Sequence, residues 1–102
     1  MNSEYQPAPG GRVLLVEDDP DTARFIIRVL RSRAGLDVAH AASPARALPL
    51  LGEQRFDLVV TDIEMPDMTG IELLEEVRRR APGLPVVVVT ARGTVVVPAP
   101  AG

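Results

Sequence analysis

Short apolar runs alternate with longer segments of helical periodicity between residues 12 and 92. Four runs rich in Val, Leu and Ala predict strands, and the central ones are apolar enough to be buried on both faces. These runs lie at residues 13–16, 36–39, 57–61 and 85–89. The segments between them repeat apolar residues every three or four positions, which predicts three helices. The alternation predicts an α/β fold, a doubly wound parallel sheet with helices on both faces.

Capping signals mark where the three helices begin. Asp19 and Ser43 each precede a proline, the pattern of an N-cap followed by proline at the first helical position. Thr69, followed three residues later by Glu72, forms the sequence pattern of a capping box. Turn residues predict the helix ends: Gly35, Gly52 and the pair Pro82-Gly83.

Proline and glycine are concentrated at the two ends of the chain. Residues 1–11 hold four of the 18, and residues 93–102 hold another four. We therefore expect a flexible N-terminal tail over 1–11, a compact domain over 12–92 and a C-terminal tail over 93–102. Residues 94–97 follow Gly93 and allow two alternatives, a hairpin against the fourth strand or an irregular tail.

Composition excludes several classes of function. The chain has no cysteine, which removes disulfides, thiolate metal sites and cysteine nucleophiles. The net charge of −3 argues against direct nucleic-acid binding, which normally depends on a basic excess. The apolar runs are far shorter than the roughly 20 residues that span a bilayer, and the N-terminus lacks the pattern of a secretory signal. We expect a cytoplasmic protein without membrane contact.

Polar side chains follow three of the predicted strands. Glu17, Asp18 and Asp19 follow the first strand, Asp62 follows the third, and Thr90 follows the fourth. Right-handed crossovers bring the carboxyl ends of parallel strands to one edge of the sheet, where ligands bind in such folds. Clustered carboxylates repel each other unless a cation is present, and hard oxygen ligands suit Mg²⁺.

Each of these signals also has a structural explanation when taken alone. The acids after the first strand suit a helix start, and Asp62 alone suits a turn. His40, the one histidine, is placed after the second strand and is expected to be a surface residue rather than a ligand. The conjunction of acids and a hydroxyl at one sheet edge is what favours a site.

Three stretches resemble the receiver domain of two-component response regulators. They are residues 13–20 (VLLVEDDP), 57–70 (DLVVTDIEMPDMTG) and 84–91 (LPVVVVTA). The resemblance covers residues 12–92 and implies a flavodoxin-like fold that takes part in phosphorelay signalling. It implies four parallel strands and three helices here, with an extra C-terminal strand as the open alternative.

The resemblance also implies a role for each site residue. Asp62 is implied as the phosphoacceptor, which takes a phosphoryl group from a sensor histidine kinase or a phosphotransfer protein. Asp18, Asp62 and the backbone carbonyl of Glu64 are implied as Mg²⁺ ligands, with Glu17 acting through water. Thr90 is implied to bond a phosphoryl oxygen. Such a protein phosphorylates itself at one residue and is not a turnover enzyme.

The sequence departs from the family pattern after Ala91. Family members continue with a fourth helix, a fifth strand that ends in a phosphoryl-binding lysine, and a fifth helix. Eleven residues follow Ala91, and the chain contains no lysine because all 11 basic residues are arginine. We therefore expect a shortened receiver with impaired phosphorylation. The strand from Val86 to Val89 is then expected to be an exposed edge that promotes self-association.

Two alternatives stay open at this point. The first is a receiver-like interaction module that is not phosphorylated. The second is a Mg²⁺ enzyme, because Glu17 with Asp62 and Glu64 distantly resembles the Toprim nuclease arrangement. The other candidate for a Mg²⁺ enzyme is a phosphatase like the haloacid dehalogenases, a family that places an Asp-x-Asp pair after its first strand.

Overall fold

The computed structural model describes residues 10–63, 65, 68–90 and 93–97, and for residues 90 and 95 it describes the backbone alone. Eight elements follow one another along the chain: β1 (Arg12–Val16), α1 (Pro20–Ala34), β2 (Asp37–Ala41), α2 (Pro44–Glu53), β3 (Leu58–Asp62), α3 (Gly70–Arg80), β4 (Val86–Thr90) and β5 (Gly93–Val97). Among the described residues, no helix combines the length and the apolar character needed to cross a membrane.

The strands form one sheet in the order β2-β1-β3-β4-β5. The first four strands are parallel, which confirms the predicted α/β class. The order reverses direction between β1 and β3, whose carboxyl ends meet in register at Val16 and Thr61. Ligands bind at such a reversal in parallel sheets, so the fold directs attention to the residues just after β1 and β3.

Helices cover both faces of the sheet. On one face, Leu14 and Val59 pack with Leu73 and Val77 of α3, and α2 contributes Ala47 to the same cluster. On the opposite face, α1 packs against β1, β2 and β3 through the buried Ala23. Because side chains alternate between the faces of a strand, the all-apolar β1 supplies both clusters.

The predicted helix starts are confirmed. Asp19, Ser43 and Thr69 are the N-caps of α1, α2 and α3, and the capping box at Thr69 is complete. Gly35 ends α1 in the left-handed conformation, with φ of 65°. Gly52 was predicted to end α2, but α2 continues through Glu53 and Gln54 is its C-cap.

Residues 93–97 form a hairpin strand against β4 rather than an irregular tail. β5 pairs antiparallel with β4, with Val86 opposite Val97 and Thr90 opposite Gly93. The expectation of an exposed edge at residues 86–89 was wrong, because β4 lies between β3 and β5 and hydrogen-bonds to both. Gly93 has a φ of 138°, which suits glycine at this reversal of the chain.

Candidate functional site

Three carboxylates converge where β1 and β3 end. Glu17 and Asp18 directly follow β1, and Asp62 is the last residue of β3. One carboxylate oxygen from each residue lies within 4.8 Å of the other two. Residues 44 positions apart along the chain are thus brought together because parallel strands end at the same edge of the sheet.

Glu17 is the buried member of this acidic cluster, with 6% of its surface exposed. Its Oε2 accepts a hydrogen bond from the N–H of Asp19 at 3.1 Å. Burial raises the pKa of Glu17 above its ordinary value. Repulsion from Asp62 and Asp18 raises this pKa further, and the hydrogen bond from Asp19 opposes the shift. The ionised form of Glu17 is therefore less favourable in the folded protein than in water.

Asp62 is half-buried, and the backbone of the following residue orients its side chain. The N–H of Ile63 donates to Asp62 Oδ1 at 2.7 Å and also to the carbonyl of Val89 at 3.2 Å. The carbonyl of Asp62 accepts from the fully buried Thr61 hydroxyl at 3.0 Å. The bond from Ile63 to Val89 joins the end of β3 to β4, and the Asp62 carboxylate stays partly exposed. Sequence reasoning missed these three contacts, since neither an isoleucine nor a threonine at these positions marks a site.

Asp19 does not join the acidic cluster. Its carboxylate accepts from both the N–H and the hydroxyl of Thr22, and these two bonds lower the pKa of Asp19. The structural explanation offered for this acid, a helix cap, is therefore confirmed. One acid of the three after β1 caps α1, and the other two face Asp62.

His40 belongs to β2 itself rather than to the segment after it, which corrects the predicted placement. It is exposed, as expected, but its Nε2 bonds to the carbonyl oxygen of Glu17 at 2.8 Å. Sequence reasoning missed this contact. The available signal was a histidine near the carboxyl end of the strand that pairs with β1.

The other predicted site residues are only partly covered by the structure. Thr90 ends β4 at the same sheet edge as Asp62, and its backbone alone is described. Glu64, predicted to offer its backbone carbonyl, lies outside the described residues.

The donor set of the acidic cluster fits a divalent cation. Carboxylate oxygens are the ligands that Mg²⁺ prefers, usually one or two carboxylates together with waters. Burial is the main cause of the raised pKa of Glu17, and the repulsion from Asp62 and Asp18 that adds to it is what a bound cation relieves. The arrangement can therefore hold a cation against Asp62, the carboxylate at the carboxyl end of β3.

The fold and the acidic cluster are typical of α/β proteins that bind their ligand at the carboxyl edge of a parallel sheet. The family model for the response regulator receiver domain matches residues 13–99. The chain belongs to this family, whose members act as phosphoacceptors in two-component systems and bind Mg²⁺ at an acidic pocket. Membership decides against the Toprim and haloacid-dehalogenase alternatives.

Relatives of known name support the same assignment. The chain is 43% identical over 82 residues to the chemotaxis protein CheY of Pseudomonas aeruginosa, and 42% identical over 79 residues to the response regulator receiver protein CpdR of Brucella abortus. Both alignments cover 78% of this chain, and they span 66% and 65% of those proteins. The alignment with the transcriptional regulatory protein GlrR of Escherichia coli covers 89% of this chain but 20% of that protein.

Solved structures share the fold. The response regulator TrrA of Thermotoga maritima, determined in complex with Mg²⁺ and BeF, has a TM-score of 0.75 and 30% identity. The match covers 79% of this chain and 70% of that one. The receiver domain of the hybrid histidine kinase CckA has a TM-score of 0.70 and 35% identity, with 76% and 73% covered.

Proposed function

We propose that this chain is a phosphoacceptor receiver that takes a phosphoryl group onto Asp62. The observation that carries the proposal is the convergence of Glu17, Asp18 and Asp62 at the reversal of strand order, in a chain of the receiver family. The half-buried Asp62 carboxylate, which accepts from the Ile63 N–H and lies next to two further acids, supports this role.

The reaction is a transfer between two side chains. A carboxylate oxygen of Asp62 attacks the phosphorus of a partner's phosphohistidine, the P–N bond breaks, and the histidine leaves with the electron pair. An acyl phosphate on Asp62 is the product. Asp18, Asp62 and the Glu64 carbonyl would hold Mg²⁺, with Glu17 acting through water, and the ion would neutralise phosphoryl charge. Thr90 is assigned the contact to a phosphoryl oxygen.

The partner that fits this chemistry is a sensor histidine kinase or a phosphotransfer protein, met in the cytoplasm. We assign the receiver domain to residues 12–92, with an N-terminal tail over 1–11 and a C-terminal segment over 93–102 whose residues 93–97 form the hairpin strand β5. The product is a modified form of the protein itself, so the reaction ends after one transfer and is not enzymatic turnover.

A second function is favoured by one feature of the sequence. The chain contains no lysine, so the phosphoryl-binding lysine implied by the family resemblance has no counterpart in it. If the loss of that cation abolishes phosphorylation rather than slowing it, the chain would only bind a kinase or phosphotransfer protein. The two functions differ in whether Asp62 gains a phosphoryl group.

Incubation with acetyl phosphate and Mg²⁺, followed by intact-mass measurement, separates them. The receiver function predicts a mass gain of one phosphoryl group that is lost in Asp62→Asn and without Mg²⁺. Asp57→Asn, at an exposed position just before β3, is the matched control and should keep the gain. The absence of a mass gain under all of these conditions would contradict the receiver function and favour the unphosphorylated binding module.

A further inference from the structure

The carbonyl oxygen of Glu17 is held by a side chain from the neighbouring strand. His40 Nε2 lies 2.8 Å from this oxygen, although the two residues are 23 positions apart. A carbonyl oxygen accepts hydrogen bonds and does not donate, so Nε2 carries the hydrogen and the imidazole is the donor. The contact joins β2 to the backbone of Glu17, the first residue of the acidic cluster.

The hydrogen bond from His40 to Glu17 is made where the backbone ladder between β1 and β2 ends. The N–H of Glu17 donates to the carbonyl of Ala41 at 3.1 Å, as in a parallel ladder. In a continuing ladder the Glu17 carbonyl would next accept from the N–H of Ser43. However, β2 ends at Ala41, and Ser43 is the N-cap of α2. The His40 side chain supplies a donor for the Glu17 carbonyl at the end of the strand.

This bond bears on Asp18 because a peptide unit is planar. The Glu17 carbonyl and the Asp18 N–H belong to the same plane, so fixing the carbonyl fixes the direction in which Asp18 leaves β1. We propose that His40 is a positioning residue for the acidic cluster: its Nε2–H holds the Glu17–Asp18 peptide so that the Asp18 carboxylate meets Asp62. The predicted effect of His40 on Mg²⁺ binding rests on the proposed function, whereas its predicted effect on the orientation of the Glu17–Asp18 peptide does not.

Two substitutions separate the hydrogen bond from the bulk of the ring. His40→Phe keeps an aromatic ring and loses the donor, whereas His40→Gln places an amide N–H at the level of Nε2. Groups that orient metal ligands typically contribute 10- to 100-fold to metal affinity. Titration calorimetry with Mg²⁺ should therefore show binding about tenfold weaker or more in His40→Phe, and near the original strength in His40→Gln.

A second readout needs no metal. In NMR spectra of the metal-free proteins, the carbonyl carbon of Glu17 and the amide of Asp18 should shift in His40→Phe and return toward their original positions in His40→Gln. Equal Mg²⁺ affinity in all three proteins would overturn the inference, and so would equal weakening in both variants. If the unchanged chain binds no Mg²⁺, the proposed function fails, and the NMR comparison alone decides whether His40 orients this peptide.

Discussion

The α-carbon of Gly70, at the start of α3, packs directly against the backbone of Asp62, at the end of β3. A Cβ placed on Gly70 would lie 2.5 Å from the carbonyl oxygen of Asp62 and 2.9 Å from the α-carbon of Ile63. The N–H of Gly70 also donates to the carbonyl of Ile63 at 2.6 Å. The absence of a side chain at Gly70 therefore lets α3 begin beside the proposed phosphoacceptor.

Gly70→Ala should destabilise the protein by about 1–3 kcal/mol, the usual cost of forcing an extra carbon into a packed site. Helix propensity alone predicts the opposite sign, since alanine favours helices over glycine by up to about 1 kcal/mol. Gly52→Ala in α2 is the matched control, because nothing lies within 4 Å of its added Cβ. Urea unfolding of both variants checks the prediction, and a Gly70→Ala protein as stable as Gly52→Ala would contradict it.

Glu17 should make the metal-free protein less stable as the pH rises. Burial and its acidic neighbours raise the pKa of Glu17 in the folded state. The folded protein therefore binds more protons than the unfolded chain between the two pKa values. The stability that Glu17 contributes is complete below the unfolded pKa and is lost as the pH rises through the folded pKa.

Glu17→Gln should consequently be more stable than the unchanged chain at neutral pH, with the difference shrinking in acid. Asp62→Asn should reduce this pH dependence without abolishing it, because burial is a larger cause of the raised pKa than repulsion from Asp62. Urea unfolding over a pH series, without divalent ions, measures both effects. A Glu17→Gln difference that is the same at every pH would show that the pKa is not raised.

Mg²⁺ should stabilise the folded chain through the acidic cluster. A ligand at 100 times its Kd adds about 2.7 kcal/mol to the free energy of unfolding. Asp18→Asn should lose most of this increment. Asp37→Asn is the control, since Asp37 is an exposed acid at the opposite end of β2 that pairs with Arg12, and it should keep the increment. Equal increments in both variants would place the binding elsewhere.

The β4–β5 hairpin should depend on Gly93. Its φ of 138° lies in a region that residues with a side chain rarely adopt, at a cost of about 1–3 kcal/mol. Gly93→Ala should therefore speed hydrogen exchange at the amides of β4 that face β5. Gly83→Ala, in the turn after α3, has open space around its added Cβ and no positive φ, and should leave that exchange unchanged.

The sequence predicted those features that local chemistry determines. Caps such as Asp19 and Thr69 placed the helix starts, because their side chains satisfy free N–H groups of the first turn. The meeting of Asp18 with Asp62 followed from the parallel sheet, whose strands all end at one edge.

Features that depend on where a strand ends, or on the close approach of two backbone segments, could not be predicted from the sequence. The bond from His40 to Glu17 requires β2 to extend to Ala41, two residues further than the apolar pattern indicated. The packing of Gly70 on Asp62 requires the path of the loop that joins β3 to α3. The position of β5 was open because an uncharged, β-branched run satisfies the pattern of a hairpin strand as well as that of a tail.

Locating the phosphoryl group within the chain tests the central claim most directly. After reaction with acetyl phosphate and Mg²⁺, borohydride reduces an aspartyl phosphate to homoserine, which tandem mass spectrometry assigns to a position. The proposed function predicts homoserine at position 62 and loss of the signal in Asp62→Asn. Homoserine at position 18 or 57 instead, or at no position, would contradict the assignment of Asp62 as the phosphoacceptor.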